Sequence, residues 1–337
     1  MQSTSAGDIR AVLEESGPDY EEFSFEPASS GNRADVYLVS LVYDGTEYEV
    51  VVKFKPEGDD RFAVEPRLHE YVADRTDVPV PRILVFEPDP VRDVPPYFVT
   101  ERVHGEELAD GFGDLTRDGW DRVVEQVGRI LGDMHSGIGF EAYGRLVLRK
   151  DRIAIDDWRG DWRDYFADLT REHVSRLSNT PFANVTDRAL AALESGLPTV
   201  PRDGVPRLVH DDLQPTNLLF ARDEPEPITA VLDWQDTLAA HPEYQLAQAE
   251  FLYIESTFDD PDRRDRLRDR LFEGYREHRS FERSARYQRC KPVYQLSTLL
   301  WRMSGFDEAF DEDDLERARA EFQYRQQFDR LTDELRA

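Results

Sequence analysis

Two aspartates and an asparagine stand at the ends of three short apolar runs in the segment RLVHDDLQPTNLLFARDEPEPITAVLDW, residues 207–234. Asp212 follows the first run, Asn217 precedes the second, and Asp233 closes the third. If the runs are strands, their ends bring the three side chains to one place. One carboxylate could then orient a hydroxyl group and accept its proton, while a second carboxylate and an amide oxygen suit Mg²⁺. The pattern predicts phosphoryl transfer, with Asp212 as catalytic base and Asn217 and Asp233 as magnesium ligands.

The spacing within this segment supports that prediction over two others. Asp212 and Asn217 are five residues apart, as are the Asp and Asn of a kinase catalytic loop. A plain polar turn between strands would also use Asp residues. A metal hydrolase built on His210, Asp211 and Asp212 is a further alternative. It is disfavoured because none of the seven His residues forms a His-x-x-x-His pair.

The first hundred residues contain features that could hold a nucleotide. Asp44-Gly45 separates two β-rich runs and predicts a hairpin. A small-residue loop precedes it, and its Ser30, Gly31 and Asn32 would let backbone N–H groups approach a phosphate. Lys53 lies in the second run among Val and Phe, where a Lys needs a partner. Glu65, in a helix predicted at about residues 61–74, is the expected partner, with Glu70 as competitor.

Two further strands are predicted before the chain becomes mainly helical. They cover Ile83–Phe86 and Tyr97–Thr100, and a Gly-containing linker follows them. This linker predicts a hinge whose Glu101 and Val103 backbone groups meet an adenine edge. We therefore expect an α+β fold with a small β-rich N-terminal lobe, residues 1–103, and a large mainly helical C-terminal lobe, residues 104–337.

Helical periodicity is strong in the C-terminal two-thirds. Val123, Val127, Ile130 and Met134 recur at helical spacing and predict a long central helix. An aromatic set is expected to open another helix that runs to about Leu177, with packing favoured over a role in a substrate cleft. Its members are Trp158, Trp162, Tyr165 and Phe166. Later helices are predicted at residues 242–255, 262–277, 285–303 and 313–335.

Composition limits the class of partner and the compartment. The formal net charge of −28 makes binding to nucleic acid through a basic face improbable. It is interpreted as adaptation to a very salty cytoplasm, with a cationic ligand as the alternative. The single Cys290 excludes an internal disulfide. No signal peptide and no apolar run of the ~20 residues that span a membrane is found, so a cytoplasmic protein without membrane contact is expected.

The chain resembles the aminoglycoside phosphotransferase and choline kinase-like family of small-molecule kinases, which share the protein-kinase two-lobe fold. The strongest matches are H-D-D-L-Q-P-T-N at 210–217 and V-L-D-W at 231–234. Weaker ones are S-S-G-N-R at 29–33, V-V-V-K-F around Lys53, Glu65, and V-P-V-P at 78–81. The resemblance implies ATP, or another nucleoside triphosphate, and Mg²⁺ as cofactors. It also implies that Lys53 and Glu65 position the nucleotide and that His210 supports the catalytic loop.

Three positions depart from the family pattern. Asp211 stands where Gly is usual, which predicts a stiffer and more negative loop beside the base. His241 stands within Ala-His-Pro where Gly-Asp-Pro is usual, and Gln245 stands where an Asp usually precedes Leu-Ala. The last two concern loop anchoring.

The leading interpretation is a kinase that phosphorylates a hydroxyl group of a small molecule. The alternative is a catalytically weak, pseudokinase-like module that binds nucleotide. A protein substrate is disfavoured, since the chain lacks Ala-Pro-Glu and Trp234 follows Asp233 where a protein kinase has Phe-Gly. The identity of the acceptor, the choice of ATP or GTP, and the oligomeric state are not predicted.

The net charge of −28 predicts salt-dependent stability. Like charges repel in the folded chain, and at 1 M salt the Debye length falls to about 3 Å, which screens most of that repulsion. We expect the melting temperature to rise steeply with KCl and activity to need molar salt. Equal stability and activity in dilute buffer would contradict this and favour a cationic ligand as the reason for the acidity.

Overall fold

The structure is a computed structural model that describes residues 6–15, 20–28, 36–90, 94–310 and 315–336. The strands in these ranges are β1 (Glu22–Pro27), β2 (Val36–Tyr43), β3 (Thr46–Phe54), β4 (Ile83–Glu87), β5 (Tyr97–Glu101), β6 (Glu106–Glu107), β7 (Tyr143–Arg149), β8 (Arg152–Arg159), β9 (Arg207–Val209), β10 (Leu218–Phe220), β11 (Ile228–Val231) and β12 (Leu238–Ala240). The helices are α1 (Ala6–Glu15), α2 (Val64–Ala73), α3 (Leu108–Gly111), α4 (Arg117–Gly137), α5 (Trp162–Arg176), α6 (Thr186–Gly196), α7 (Pro242–Glu250), α8 (Pro261–His278), α9 (Ala285–Ser304), α10 (Phe306–Ala309) and α11 (Leu315–Glu334). A π-helix, Phe251–Glu255, directly follows α7. Short 3₁₀ helices lie at Phe112–Asp114, Leu177–Asn179, Ala183–Val185, Leu197–Thr199, Pro215–Asn217 and Trp234–Asp236.

The N-terminal part is built on a five-stranded antiparallel sheet with the order β1-β2-β3-β5-β4. Its β2–β3 hairpin turns at Asp44 and Gly45, whose φ angles are 50° and 68°. Positive φ at both turn residues matches the twist of the flanking strands, and an Asp-Gly pair adopts it readily. The hairpin predicted from the sequence is therefore confirmed.

Strand β3 separates the small-lobe core from the cleft. Val50, Val52 and Phe54 alternate along it and are buried in a core that also contains Ile9 and Val12 of α1. Successive side chains of a strand point to opposite faces. Lys53 therefore projects from the other face, away from α1.

Helix α2 lies on the cleft side and joins the two parts of the chain. Its Val64, Leu68 and Val72 are almost fully buried and belong to the core that continues through the large lobe. These positions follow the helical repeat, so Glu65, next to Val64, is carried by a helix fixed on its apolar face. The helix thus contributes a charged residue to the small lobe while packing against the large one.

The C-terminal part is mainly helical, with α4 packed along α8, and it contains two small sheets. One sheet has the order β8-β7-β12-β9 and the other β11-β10-β6. The mixed α+β fold with a β-rich N-terminal lobe and a helical C-terminal lobe is as predicted. Among the described residues, no helix combines the length and the apolar composition needed to cross a membrane.

The region after α4 differs from the prediction. Trp158 belongs to strand β8 and is 65% exposed, so it does not open a helix. Helix α5 begins at Trp162, after Asp161 accepts a hydrogen bond from the Asp164 N–H as its N-cap. The alternating Ile153 and Ile155 pair with β7 in a hairpin, and this cross-strand pairing overrides the helical appearance of the aromatic set.

The helix predicted at residues 242–255 is not one regular α-helix. It ends as an α-helix at Glu250 and continues as the π-helix. The hydrogen bond from the Ser256 N–H to the Phe251 carbonyl, 2.9 Å long, spans five residues and defines the wider turn.

Gly128 of α4 provides a test of the α4–α8 packing. A Cβ atom at this position would lie 2.0 Å from the Leu271 carbonyl oxygen. Gly128→Ala is therefore expected to lower the free energy of unfolding by about 1–3 kcal/mol, although Ala is normally the better helix residue. Gly113→Ala, where a Cβ atom meets nothing within 4 Å, is the control. Thermal melts in which both variants match the parent would contradict this packing.

Candidate active site

The strand pair β10–β11 brings Asn217 and Asp233 together. Leu218 lies opposite Val231 in this antiparallel pair. Asn217 directly precedes β10, and the Leu232 N–H donates to the Asn217 carbonyl at 2.9 Å. Asp233 then turns out of the strand with a left-handed φ of 61°. The two predicted magnesium ligands thus leave neighbouring strand ends.

Asp212 is tied to the same place by Asn217. The Asn217 side-chain Nδ2 donates to the Asp212 carbonyl at 2.8 Å. Because the amide nitrogen faces the loop, the amide oxygen is the atom left for a cation. The catalytic loop, residues 210–217, therefore closes on itself across the five-residue spacing seen in the sequence.

His210 links the catalytic loop to the strand that ends at Asp233. Its Nε2 lies 2.9 Å from the Leu232 carbonyl, and its ring packs edge-on against Trp234 at a centroid distance of 4.6 Å. Burial lowers the pKa of His210 to about 4, so the imidazole is neutral at ordinary pH. A neutral, fully buried ring whose Nε2 donates to a carbonyl holds the catalytic loop against the strand that ends at Asp233.

Lys53 connects the two lobes. Its Nζ lies 2.7 Å from Glu65 Oε2 and 3.0 Å from Asp233 Oδ1. Burial opposes the charged form of Lys53, but the carboxylates of Asp233 and Glu65 outweigh it and raise its pKa above the usual range. Glu70 instead pairs with Arg67 at 2.9 Å. The expected Lys53–Glu65 pair is therefore present, and Glu70 does not compete.

The Asp212 carboxyl group lies in an environment that disfavours its charge. Asp212 is 9% exposed, and its Oδ1 has no hydrogen-bond partner among the described residues. Burial first, and then the charges of Asp233 and Asp236, raise the pKa of Asp212 well above its usual value. A cation beside these carboxylates would relieve the repulsion.

The donor atoms present suit a magnesium ion shared with phosphates. No group of three or more His, Cys, Asp or Glu residues that could hold a metal occurs in the described part of the chain. Mg²⁺ is usually held by one or two carboxylates together with substrate phosphates, so a complete protein cage is not required. The Asp233 carboxylate and the Asn217 amide oxygen fit that requirement.

The metal-hydrolase alternative gains no support from the geometry. His210 is directed to the Leu232 carbonyl, and the Asp211 carboxylate accepts a hydrogen bond from Gln248 Nε2 at 3.0 Å. Neither side chain joins Asp212 in a common metal site.

A second ion pair between the lobes is not predicted by the sequence. Arg61, which precedes α2, pairs with Asp236, three residues after Asp233. Arg145 of β7 lies 3.9 Å from the same carboxylate. Asp236 could have been suspected from its place just after Asp233, but nothing in the local sequence marks Arg61 or Arg145 as its partners.

The linker predicted as a hinge is hydrogen-bonded to the chain beside it, and its role as a hinge stays a prediction. The Glu101 N–H donates to the Arg82 carbonyl at 3.1 Å, and the Glu101 carboxylate accepts from the Arg82 N–H at 3.0 Å. Arg102 pairs with Glu49 at 2.6 Å. Val103 follows outside any strand. Ser30, Gly31 and Asn32 lie outside the described residues.

The three departures from the family pattern are accommodated locally. Asp211 has a φ of 63°, the left-handed region that glycine occupies most easily. His241 caps α7 by accepting from the Glu243 N–H through Nδ1 at 3.3 Å. Gln245 contacts the buried His135 Nε2 at 3.0 Å. The last two are therefore anchoring contacts, as expected.

Comparison with known proteins identifies the family. The sequence profile of the phosphotransferase enzyme family matches residues 24–283, which include Lys53, Glu65 and the whole catalytic loop. The chain belongs to the phosphotransferase enzyme family. It is accordingly a small-molecule kinase, a phosphotransferase with an alcohol group as acceptor. The family resemblance stated from the motifs is thus confirmed. No curated protein is similar enough to match the chain.

Solved structures share the fold of this phosphotransferase. A candidate fructosamine-3-kinase from Thermobifida fusca is 20% identical, with a TM-score of 0.63 over 99% of this chain and 100% of that one. A thermostable mutant of the aminoglycoside phosphotransferase APH(4)-Ia is 18% identical, with a TM-score of 0.61 over 97% and 98%. At these identities the likeness concerns the fold, and it confirms the kinase-like two-lobe fold.

The φ of 63° at Asp211 yields a stability prediction. Asp211→Gly and Asp211→Ala both lose the hydrogen bond from Gln248 to the Asp211 carboxylate, but only Ala is strained in the left-handed region. The Ala variant is expected to be less stable than the Gly variant by about 1 kcal/mol. At Asp168, within α5, the same two substitutions should rank in the opposite order because Gly disfavours a helix. If the Gly and Ala variants rank in the same order of melting temperature at both positions, the left-handed φ at Asp211 is contradicted.

Proposed function

We propose that this phosphotransferase transfers the γ-phosphoryl group of ATP, or of another nucleoside triphosphate, to a hydroxyl group of a small molecule in a Mg²⁺-dependent reaction. One observation carries the proposal. Lys53 of the small lobe lies 3.0 Å from Asp233 of the large lobe, beside the loop that carries Asp212 and Asn217. A kinase requires this meeting of a phosphate-binding Lys, a metal-binding Asp and a base.

The proposed nucleotide site spans both lobes. Lys53, oriented by Glu65, contacts the α- and β-phosphates, and Asn217 and Asp233 hold Mg²⁺. An ion held there would supply positive charge that offsets the negative charge of the transferred phosphoryl group. The backbone of Glu101 and Val103 meets the purine edge, and Ser30, Gly31 and Asn32 remain assigned to phosphate binding from the sequence alone.

Asp212 acts on the acceptor. Its carboxylate orients the hydroxyl group and accepts its proton while the new oxygen–phosphorus bond forms and the nucleoside diphosphate leaves. Burial of Asp212 supports this role because a desolvated carboxylate is a stronger base than one in water. His210 holds the loop and takes no part in proton transfer.

Structural neighbours support a nucleotide donor but leave the base and the acceptor open. A mutant of APH(4)-Ia is known in a ternary complex with ADP and hygromycin B, and another aminoglycoside phosphotransferase is known with GDP and kanamycin. For this chain we propose only the classes of the two substrates: a nucleoside triphosphate as phosphate donor and a hydroxylated small molecule as acceptor. We also propose a cytoplasmic location and a lobe boundary near Val103.

Release of ADP from ATP, measured with a panel of hydroxylated compounds at molar KCl, tests the proposal. Turnover is expected only with Mg²⁺. Asp212→Ala should lower kcat by about 10²–10⁴-fold and leave the nucleotide KM nearly unchanged. Asp259→Ala, which removes a fully exposed carboxylate, is the control. A loss of less than about threefold in the Asp212 variant would exclude Asp212 as the base. Nucleotide binding without turnover would favour the pseudokinase-like alternative.

Asp233→Asn tests the metal assignment separately. The substitution keeps the shape of the side chain but removes one charge from a site for a hard cation. The Mg²⁺ concentration for half-maximal rate is expected to rise about tenfold or more. The melting temperature without nucleotide should fall, but the variant should stay folded because Lys53 keeps Glu65 as an ion-pair partner. An unchanged Mg²⁺ requirement would show that Asp233 is not a ligand.

A further inference from the structure

Three successive carbonyl groups of the catalytic loop are each fixed by a side chain. The Asp211 carbonyl accepts from Gln248 Nε2 at 3.2 Å, and the Asp212 carbonyl accepts from Asn217 Nδ2 at 2.8 Å. The Leu213 carbonyl accepts from the Tyr253 hydroxyl at 2.9 Å. Hydrogen bonds from side chains therefore fix the carbonyl group of Asp212, the proposed base, and the carbonyl groups of the residues before and after it.

Two of the three donors come from one segment outside the loop. Gln248 belongs to α7 and Tyr253 to the π-helix that follows it, and both side chains are buried. In a regular α-helix, residues five apart are separated by about 140° around the axis, so the two would face different directions. The wider π-turn changes that rotation, and both side chains reach the catalytic loop.

The segment is itself held by a buried ion cluster. Glu250, between the two donors, is fully buried and accepts from Tyr287 Oη at 2.6 Å and from Arg268 Nε at 2.7 Å. Lys291 Nζ lies 2.6 Å from Glu255, at the end of the π-helix. A paired buried charge fixes geometry, because moving it would leave a charge unsatisfied.

We propose that Gln248 and Tyr253 are positioning residues for phosphoryl transfer. Gln248 fixes the peptide group before Asp212, and Tyr253 fixes the peptide group between Leu213 and Gln214, so that the Asp212 carboxylate is aimed at the acceptor hydroxyl group. This inference rests on the proposed role of Asp212 as the base. Both hydrogen bonds are made to the loop that carries Asp212. The two residues are therefore expected to affect how the acceptor hydroxyl group is activated.

The size of the effect follows from the geometry of transfer. Displacement of a reacting group by about 1 Å can lower a rate by about 100-fold. Loss of one of three anchors should displace Asp212 by less than that. A fall of about tenfold in kcat is expected, with the nucleotide KM unchanged, because other residues bind the nucleotide.

Tyr253→Phe is the direct test because it keeps the ring and removes only the hydroxyl group. Tyr275→Phe is the matched control. That residue is equally buried, and its hydroxyl group bonds His135 at 3.0 Å, away from the catalytic loop. Both variants lose one buried hydrogen bond and should lose similar stability. Only Tyr253→Phe is expected to lower kcat.

A double-mutant comparison separates positioning from general destabilisation. In an Asp212→Ala background, Tyr253→Phe should lower the residual rate no further, since it acts through the missing carboxylate. Gln248→Met supplies an independent second variant with the same expectation, which keeps the test available if Tyr253→Phe folds poorly.

The outcomes distinguish the two claims. If Asp212→Ala is inactive but Tyr253→Phe and Gln248→Met both keep kcat within about twofold of the parent, the positioning inference is overturned and the base remains. The positioning inference also fails if Tyr253→Phe lowers the rate equally with and without Asp212. If Asp212→Ala is fully active, the proposed function itself fails.

Discussion

A single buried ammonium group holds the active site together. Lys53 is shared between Glu65 of the small-lobe side and Asp233 of the large-lobe side, at 2.7 and 3.0 Å. A buried Lys without partners would be strongly unfavourable, so this pair of contacts constrains the relative position of α2, β3 and the end of β11. The charged residues that would bind a nucleotide and its metal ion thus also determine the geometry of the cleft.

Further contacts between the same two parts of the chain also fix the geometry of the cleft. Arg61 pairs with Asp236 across the lobes, and the ring of His69 on α2 lies 6.4 Å from that of Trp234. The Val231 N–H donates to the Pro79 carbonyl at 2.8 Å. Each contact joins the chain around α2 to the strand that ends at Asp233 or to the turn after it. The side of the cleft that carries Asp233 is therefore anchored to the helix that carries Glu65.

The sequence predicts the elements whose signals are local and misses those that depend on distant partners. Strand ends, the Asp-Gly hairpin and the Asp212–Asn217 spacing are readable because each is set within a few residues. The Arg61–Asp236 pair joins residues 175 positions apart, and the Tyr253 bond to Leu213 joins residues 40 apart. Neither contact produces a recognisable pattern in the local sequence. The helix predicted to run from Trp158 to about Leu177 exists, but its predicted start is wrong because it begins at Trp162. Aromatic residues suit both helices and strands, and only the pairing of β7 with β8 places Trp158 in a strand.

Binding of Mg²⁺–ATP to Lys53→Met, measured by calorimetry at molar KCl, tests the central claim most directly. Met matches the length of the Lys stem and keeps its apolar contacts while the shared charge is lost. Glu65, buried and without its partner, is expected to take up a proton, because burial raises its pKa and the opposing charge of Lys53 is gone. The account predicts binding at least about tenfold weaker than in the parent, as expected for the loss of a charge-assisted contact to phosphate. Lys55→Met, two residues along the chain, should bind like the parent. Equally tight binding by Lys53→Met would contradict the account.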